Sequence, residues 1–140
     1  MVTVISRLTV VPAEEGEGYD YKRVVAGLFG TVRNAEIRDL TLDETCRVEV
    51  SGTYYFSFGD LDLEIGAIAA VGDESRFIRC VNRADVVVTS VIWGSETHET
   101  ICSVSGIVAH ADDMKLIGCS NEGHMTVDVH SDVVDIRVSG

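Results

Sequence analysis

Between residues 27 and 129 the apolar and polar positions of the chain form one pattern written three times, at offsets of 40 and then 39 residues. Gly27-Leu28-Phe29-Gly30, Ala67-Ile68-Ala69-Ala70 and Gly106-Ile107-Val108-Ala109 each open a segment that aligns with the other two without a gap. Apolar residues fill the columns Leu28/Ile68/Ile107, Phe29/Ala69/Val108, Ile37/Phe77/Leu116, Leu40/Cys80/Cys119, Cys46/Val86/Met125 and Val48/Val88/Val127. The last two columns are two residues apart, which is the strand period, and no set of columns continues at helical spacing. These columns are the predicted inward positions. Small residues at Gly27/Ala67/Gly106 and Gly30/Ala70/Ala109 mark bends or close backbone approaches. The polar pairs Arg33-Asn34, Asp73-Glu74 and Asp112-Asp113 predict corners between strands.

Outside the aligned columns the pattern is also that of strands. Val2, Val4, Leu8 and Val10 alternate with polar neighbours up to Pro12, the only proline, and the glycine-rich, acidic stretch 13–20 reads as a loop. Segments 51–66 and 89–105 extend the first two units and predict strands that run past the repeat and fold back at Gly59-Asp60 and Gly94-Ser95. Val127, Val129, Val133, Ile136 and Val138 predict closing strands. A self-similar period of this size is the mark of an array whose units bury their apolar faces only by stacking. The expected organisation is one domain over 1–140: an N-terminal cap strand and loop (1–21), repeat units 22–66, 67–105 and 106–129, and a C-terminal cap (130–140).

Composition narrows the picture. In 140 residues the apolar fraction is 46% but the aromatic fraction only 6%; Val and Ile dominate, and they suit a pleated, half-buried surface. The expected class is all-β. A net charge of −12 opposes nucleic acid and anionic membrane as partners. Charges interrupt every apolar run well before the ~20 residues of a membrane span, so no membrane insertion is expected. The opening residues Met1 to Arg7 lack the basic and apolar regions of a signal peptide. Cys46, Cys80, Cys102 and Cys119 match no metal-binding spacing. Since Cys80 and Cys119 share an apolar column, the cysteines read as free, structural thiols.

Three stretches resemble a known family. Gly27-Leu28-Phe29-Gly30 through Ile37-Arg38-Asp39-Leu40-Thr41-Leu42, then Phe77-Ile78-Arg79-Cys80-Val81-Asn82, then Leu116-Ile117-Gly118-Cys119-Ser120-Asn121 are similar to the GLUG-type repeat of bacterial surface proteins. Unit two departs from it in having Ala67 and Ala70, and unit one in having Leu42 where the others have asparagine. The resemblance implies a short right-handed parallel β-helix, a β-solenoid of about three rungs related to the pectin-lyase-like superfold, with extended hairpins and terminal strands as caps. It also implies that Asn82 and Asn121 stack at one corner and exchange amide hydrogen bonds. A cell-surface, extracellular or virion setting follows from the resemblance alone.

Candidate chemistry is thin. Asp73, Glu74, Asp112 and Asp113 would lie one strand spacing apart, where carboxylates suit Ca²⁺, the one cofactor considered, or a retaining glycosidase pair. Unit one offers only Arg33 and Asn34 there, so exposed turns explain the corners more simply. His98, His110, His124 and His130 show no metal-binding or catalytic spacing and share no column. The aromatic residues Tyr54, Tyr55, Phe56, Phe58 and Trp93 fall in the two extensions and could present a platform to a glycan or protein; among them Tyr54, Tyr55, Phe58 and Trp93 are the candidate binding residues. The expected function is a non-enzymatic β-solenoid module for adhesion, assembly or ligand binding. The alternatives are a self-associating phage or virion component and a polysaccharide lyase or glycoside hydrolase.

Overall fold

The computed structural model describes residues 1–15, 21–55, 60–93, 100–130 and 134–139. Among these, every regular element is a strand. The first three are β1 (Thr3–Ile5), β2 (Thr9–Val10) and β3 (Ala13–Glu15). The first repeat holds β4 (Tyr21–Ala26), β5 (Phe29–Arg33), β6 (Glu36–Arg38), β7 (Leu40–Leu42) and β8 (Arg47–Tyr55). The second holds β9 (Asp60–Gly66), β10 (Ala69–Asp73), β11 (Arg76–Ile78), β12 (Val81–Asn82) and β13 (Asp85–Trp93). The third holds β14 (Thr100–Ser105), β15 (Val108–Asp112), β16 (Lys115–Ile117), β17 (Ser120–Asn121) and β18 (Met125–His130), and β19 (Val134–Ser139) follows.

Strands of the same rank in successive repeats pair with one another. The sheets run β1-β7-β12-β17, β5-β10-β15, β6-β11-β16, β2-β8-β13-β18 and β3-β4-β9-β14-β19. Every ladder is parallel except β3 with β4. Parallel pairing needs both faces covered or a long connection between partners, and a period near 40 residues supplies that connection. Register follows the sequence columns in three sheets: Ala69 lies beside Phe29 and Val108, Phe77 beside Ile37 and Leu116, and Val81 beside Thr41 and Ser120.

The fourth sheet departs from the ungapped alignment. Val86 pairs with Val48 and Met125, and Val88 with Val50 and Val127, so Cys46 does not share their column. The cause is the turn after β7. In the first repeat Asp43 accepts the Thr45 N–H at 2.9 Å and closes a turn two residues longer than its counterpart in the second. The shift is by two residues, so alternation survives and Val48 and Val50 are still buried.

Buried side chains from all five sheets meet in one apolar cluster that includes Val24, Leu42, Val48, Leu63, Ile65, Ile68, Phe77, Cys80, Val86 and Cys102. Burial fades along the stack. Phe77 is inaccessible, while Leu116 beside it on the edge strand β16 is 48% exposed. Near the N-terminus the structure settles which face of the first strands is buried and corrects one expectation. Thr3 and Ile5 sit beside the inward Leu40 and Leu42, which leaves Val2 and Val4 exposed and brings Ile5, Leu8 and Val10 to the core. Part of the stretch read as a loop is strand β3, because an antiparallel edge strand is held by backbone bonds and needs no apolar face.

Corners recur at fixed positions. Asn34, Glu74 and Asp113 have φ of 51°, 47° and 49°, and Asp39, Arg79 and Gly118 have φ of 54°, 50° and 64°. Left-handed residues stacked in register reverse the chain at the same point of each repeat.

Candidate binding site

The predicted aromatic residues fall in the last strands of the first two repeats. β8 and β13 pair over nine positions, from Arg47 with Asp85 to Tyr55 with Trp93. Among the described residues β18 pairs with β13 from Val86 with Met125 to Val91 with His130. Tyr54, Tyr55 and Trp93 lie at the C-terminal end of the β8–β13 ladder, placed by their backbones; Phe58 and Phe56 lie outside the described residues.

The acidic corners are brought together in part. Asp73 and Asp112 are register partners, but the Asp73 carboxylate takes the Arg33 Nε–H at 2.9 Å. Glu74 and Asp113 are the left-handed corner residues themselves and are exposed. No group of three or more His, Cys, Asp or Glu side chains among the described residues could hold a metal ion. The arrangement continues around the corners as pairs of opposite charge between successive repeats: Arg79 with Asp39 at 2.6 Å and Arg83 with Glu122 at 2.7 Å. Such exposed pairs contribute roughly 0–1 kcal/mol each. Of the histidines, His124 donates its backbone N–H to Asp85 at 3.3 Å and His130 lies 3.1 Å from Asp128, while His98 lies outside the described residues.

A further polar site emerges only from the fold. On β9 the alternation puts Leu63 and Ile65 in the core and Glu64 on the outer face, yet Glu64 is only 6% exposed. The sheet containing β10 and β15 lies against β9 and closes a concave angle over it. Val25, Ala70 and Val71 form a small apolar cluster in the same angle. Glu64 Oε2 accepts hydrogen bonds from Arg23, from Nε at 2.7 Å and also from its terminal nitrogen. Glu64 Oε1 faces His110 Nδ1 at 3.9 Å. Beyond Glu64 in the same outward column come Ser103 and Arg137. Two adjoining hollows of about 180 and 110 Å³ share Ser103, His110 and Arg137 as walls. Burying the ion pair costs desolvation that well-packed apolar side chains would avoid, so this groove has a polarity the fold does not require. In sequence Glu64 is one more polar position in an alternating strand, and no local signal separates it from Asp62.

Two thiols are shifted by burial. Desolvation pushes Cys102 up to about 11 and raises Cys80 above its ordinary value. All four cysteines are free.

No protein-family model, curated protein or solved structure matches this chain.

Proposed function

We propose that the chain is a short right-handed β-solenoid of the GLUG-like kind, acting without catalysis as a binding or assembly module at a bacterial cell surface. Parallel pairing of like-ranked strands at offsets near 40 residues supports the solenoid. The observation that carries the functional reading is the β8–β13 ladder. It runs in register as far as Tyr54, Tyr55 and Trp93, which sets three aromatic residues on one parallel ladder. Aromatic side chains on such a ladder suit sugar rings or an apolar patch of a partner protein.

The test is a binding screen of the whole chain against neutral and acidic glycans and candidate surface proteins. It is followed by Tyr54→Ala, Tyr55→Ala and Trp93→Ala. Loss of a detected interaction in these variants, with an unchanged unfolding midpoint, is the expected result. An interaction that survives all three substitutions overturns this placement of the site. The edges of β15 and β16, unpaired among the described residues, with Leu116 and Ile117 each 48% exposed, favour a second reading as a self-associating component of a larger particle. Light scattering separates the two, because a stable homotrimer supports assembly and a strict monomer removes it.

A further inference from the structure

Cys80 and Cys119 occupy the same place in the second and third repeats, immediately before strands β12 and β17. Val81 and Ser120 are register partners, and the Ser120 N–H donates to the Cys80 carbonyl at 3.0 Å. The thiols repeat the same environment one strand apart. Cys80 Sγ lies 3.5 Å from the Ile37 carbonyl oxygen, Cys119 Sγ lies 3.1 Å from that of Phe77, and Ile37 and Phe77 are themselves register partners. Neighbouring strands are ~4.8 Å apart, which falls inside the ~4.4–6.8 Å between α-carbons that a disulfide requires. Only one of the pair is accessible: Cys80 is fully buried, and Cys119 on the edge of the stack is partly exposed. This asymmetry matches an attacking thiol and a resolving thiol.

We propose that Cys80 and Cys119 form a thiol–disulfide exchange site whose co-reactant is a small disulfide such as oxidised glutathione. The Cys119 thiolate attacks one sulfur of the small disulfide, forming a mixed disulfide and releasing one glutathione thiolate, which takes up a proton. The Cys80 thiolate then attacks Cys119 Sγ, forming the intramolecular bond and releasing the second glutathione. Two protein thiols are oxidised, and one glutathione disulfide is reduced to two thiols. Burial of Cys80 makes the second step the slower one. The product ties the third repeat, whose strand β17 is a sheet edge, to the second.

The whole chain is equilibrated with oxidised glutathione, quenched in acid and analysed by intact mass and peptide mapping. The expected result is a mass lower by two hydrogen atoms, a peptide joining Cys80 to Cys119, and an unfolding midpoint raised on the order of 10 °C. Cys119→Ala abolishes the bridge and Cys46→Ala leaves it in place. A mixed disulfide persisting on Cys119, a bridge that uses Cys46 or Cys102, or no oxidation at all overturns the proposal. If Cys119→Ala does not fold, the peptide map of the unaltered chain decides the question alone.

Discussion

Asn82 Nδ2 donates to Asn121 Oδ1 at 2.9 Å, an amide-to-amide bond between the second and third repeats. Asn82 is fully buried and closes its own turn as well, accepting the Ala84 N–H at 3.0 Å and donating to the Ala84 carbonyl at 3.1 Å. Asn121 accepts the Gly123 N–H at 3.2 Å in the equivalent turn. Replacing Asn82 by Ala strands two buried backbone groups, and the expected loss is about 2–4 kcal/mol in urea unfolding. Asn121→Ala costs less, about 1–2 kcal/mol, because its site is half exposed and water replaces the lost partner. Asn82→Leu imitates Leu42 of the first repeat but does not rescue stability, since Leu42 precedes a longer turn closed by Asp43. A leucine variant as stable as the unaltered chain would contradict this account.

Glycines in this chain divide by what surrounds them. A Cβ on Gly123 would lie 2.0 Å from the Ala84 carbonyl oxygen, a backbone atom of the neighbouring turn. A Cβ on Gly30 would meet nothing within 4 Å. Gly123→Ala is therefore expected to destabilise by about 1–3 kcal/mol through forced backbone movement. Gly30→Ala is expected to stabilise by about 0.4–1 kcal/mol by restricting the unfolded chain. Thermal unfolding of the two variants checks both signs, and a neutral Gly123→Ala would show that the turn yields easily.

How much of this was legible in the sequence depends on whether a residue's role is periodic or tertiary. The columns Ile37/Phe77/Leu116 and Leu40/Cys80/Cys119 were readable because stacking places equivalent residues at a fixed offset, and the Asn82–Asn121 pair followed from the family resemblance. Cys46 was misplaced because an ungapped alignment cannot register the longer Asp43 turn, although alternation kept Val48 on the correct face. The groove around Glu64 was not legible at all. Leu63-Glu64-Ile65 has the pattern of any half-exposed strand, and only the sheet of β10 and β15 folding over it turns a surface carboxylate into a buried one.

Acid sensitivity should begin at the corners. The hydrogen bond from Arg79 holds the Asp39 carboxyl below its usual value of 3.8, and hydrogen bonds from Ser6 and then Thr45 do the same for Asp43. A carboxyl with a lowered folded value contributes stability that is complete above its unfolded value and is lost as pH falls through the folded one. The unfolding midpoint is expected to stay level between about pH 7 and pH 5 and to fall below about pH 4. Asp43→Asn lowers the midpoint at neutral pH and flattens the acid decline, so the two melting curves converge as pH drops. Parallel curves down to about pH 2 would show that Asp43 contributes nothing to the decline.

The last prediction separates what the Glu64 groove does for the fold from what it does at the surface. The Arg23 side chain is 23% exposed and that of Glu64 is buried, so truncating either partner leaves the other charge poorly hydrated. Glu64→Ala is expected to destabilise by about 2–4 kcal/mol. If the pair were kept for stability, removing both charges would be worse still. Desolvation argues the opposite, because Val25, Ala70 and Val71 already line the same angle and can cover apolar replacements. The double variant Arg23→Met with Glu64→Leu is expected to recover more than half of the single-variant loss, read from a double-mutant cycle in urea. That recovery would assign the pair's importance to the polarity it gives the His110 groove, whereas a double variant as unstable as the sum of the singles would make it a structural clamp.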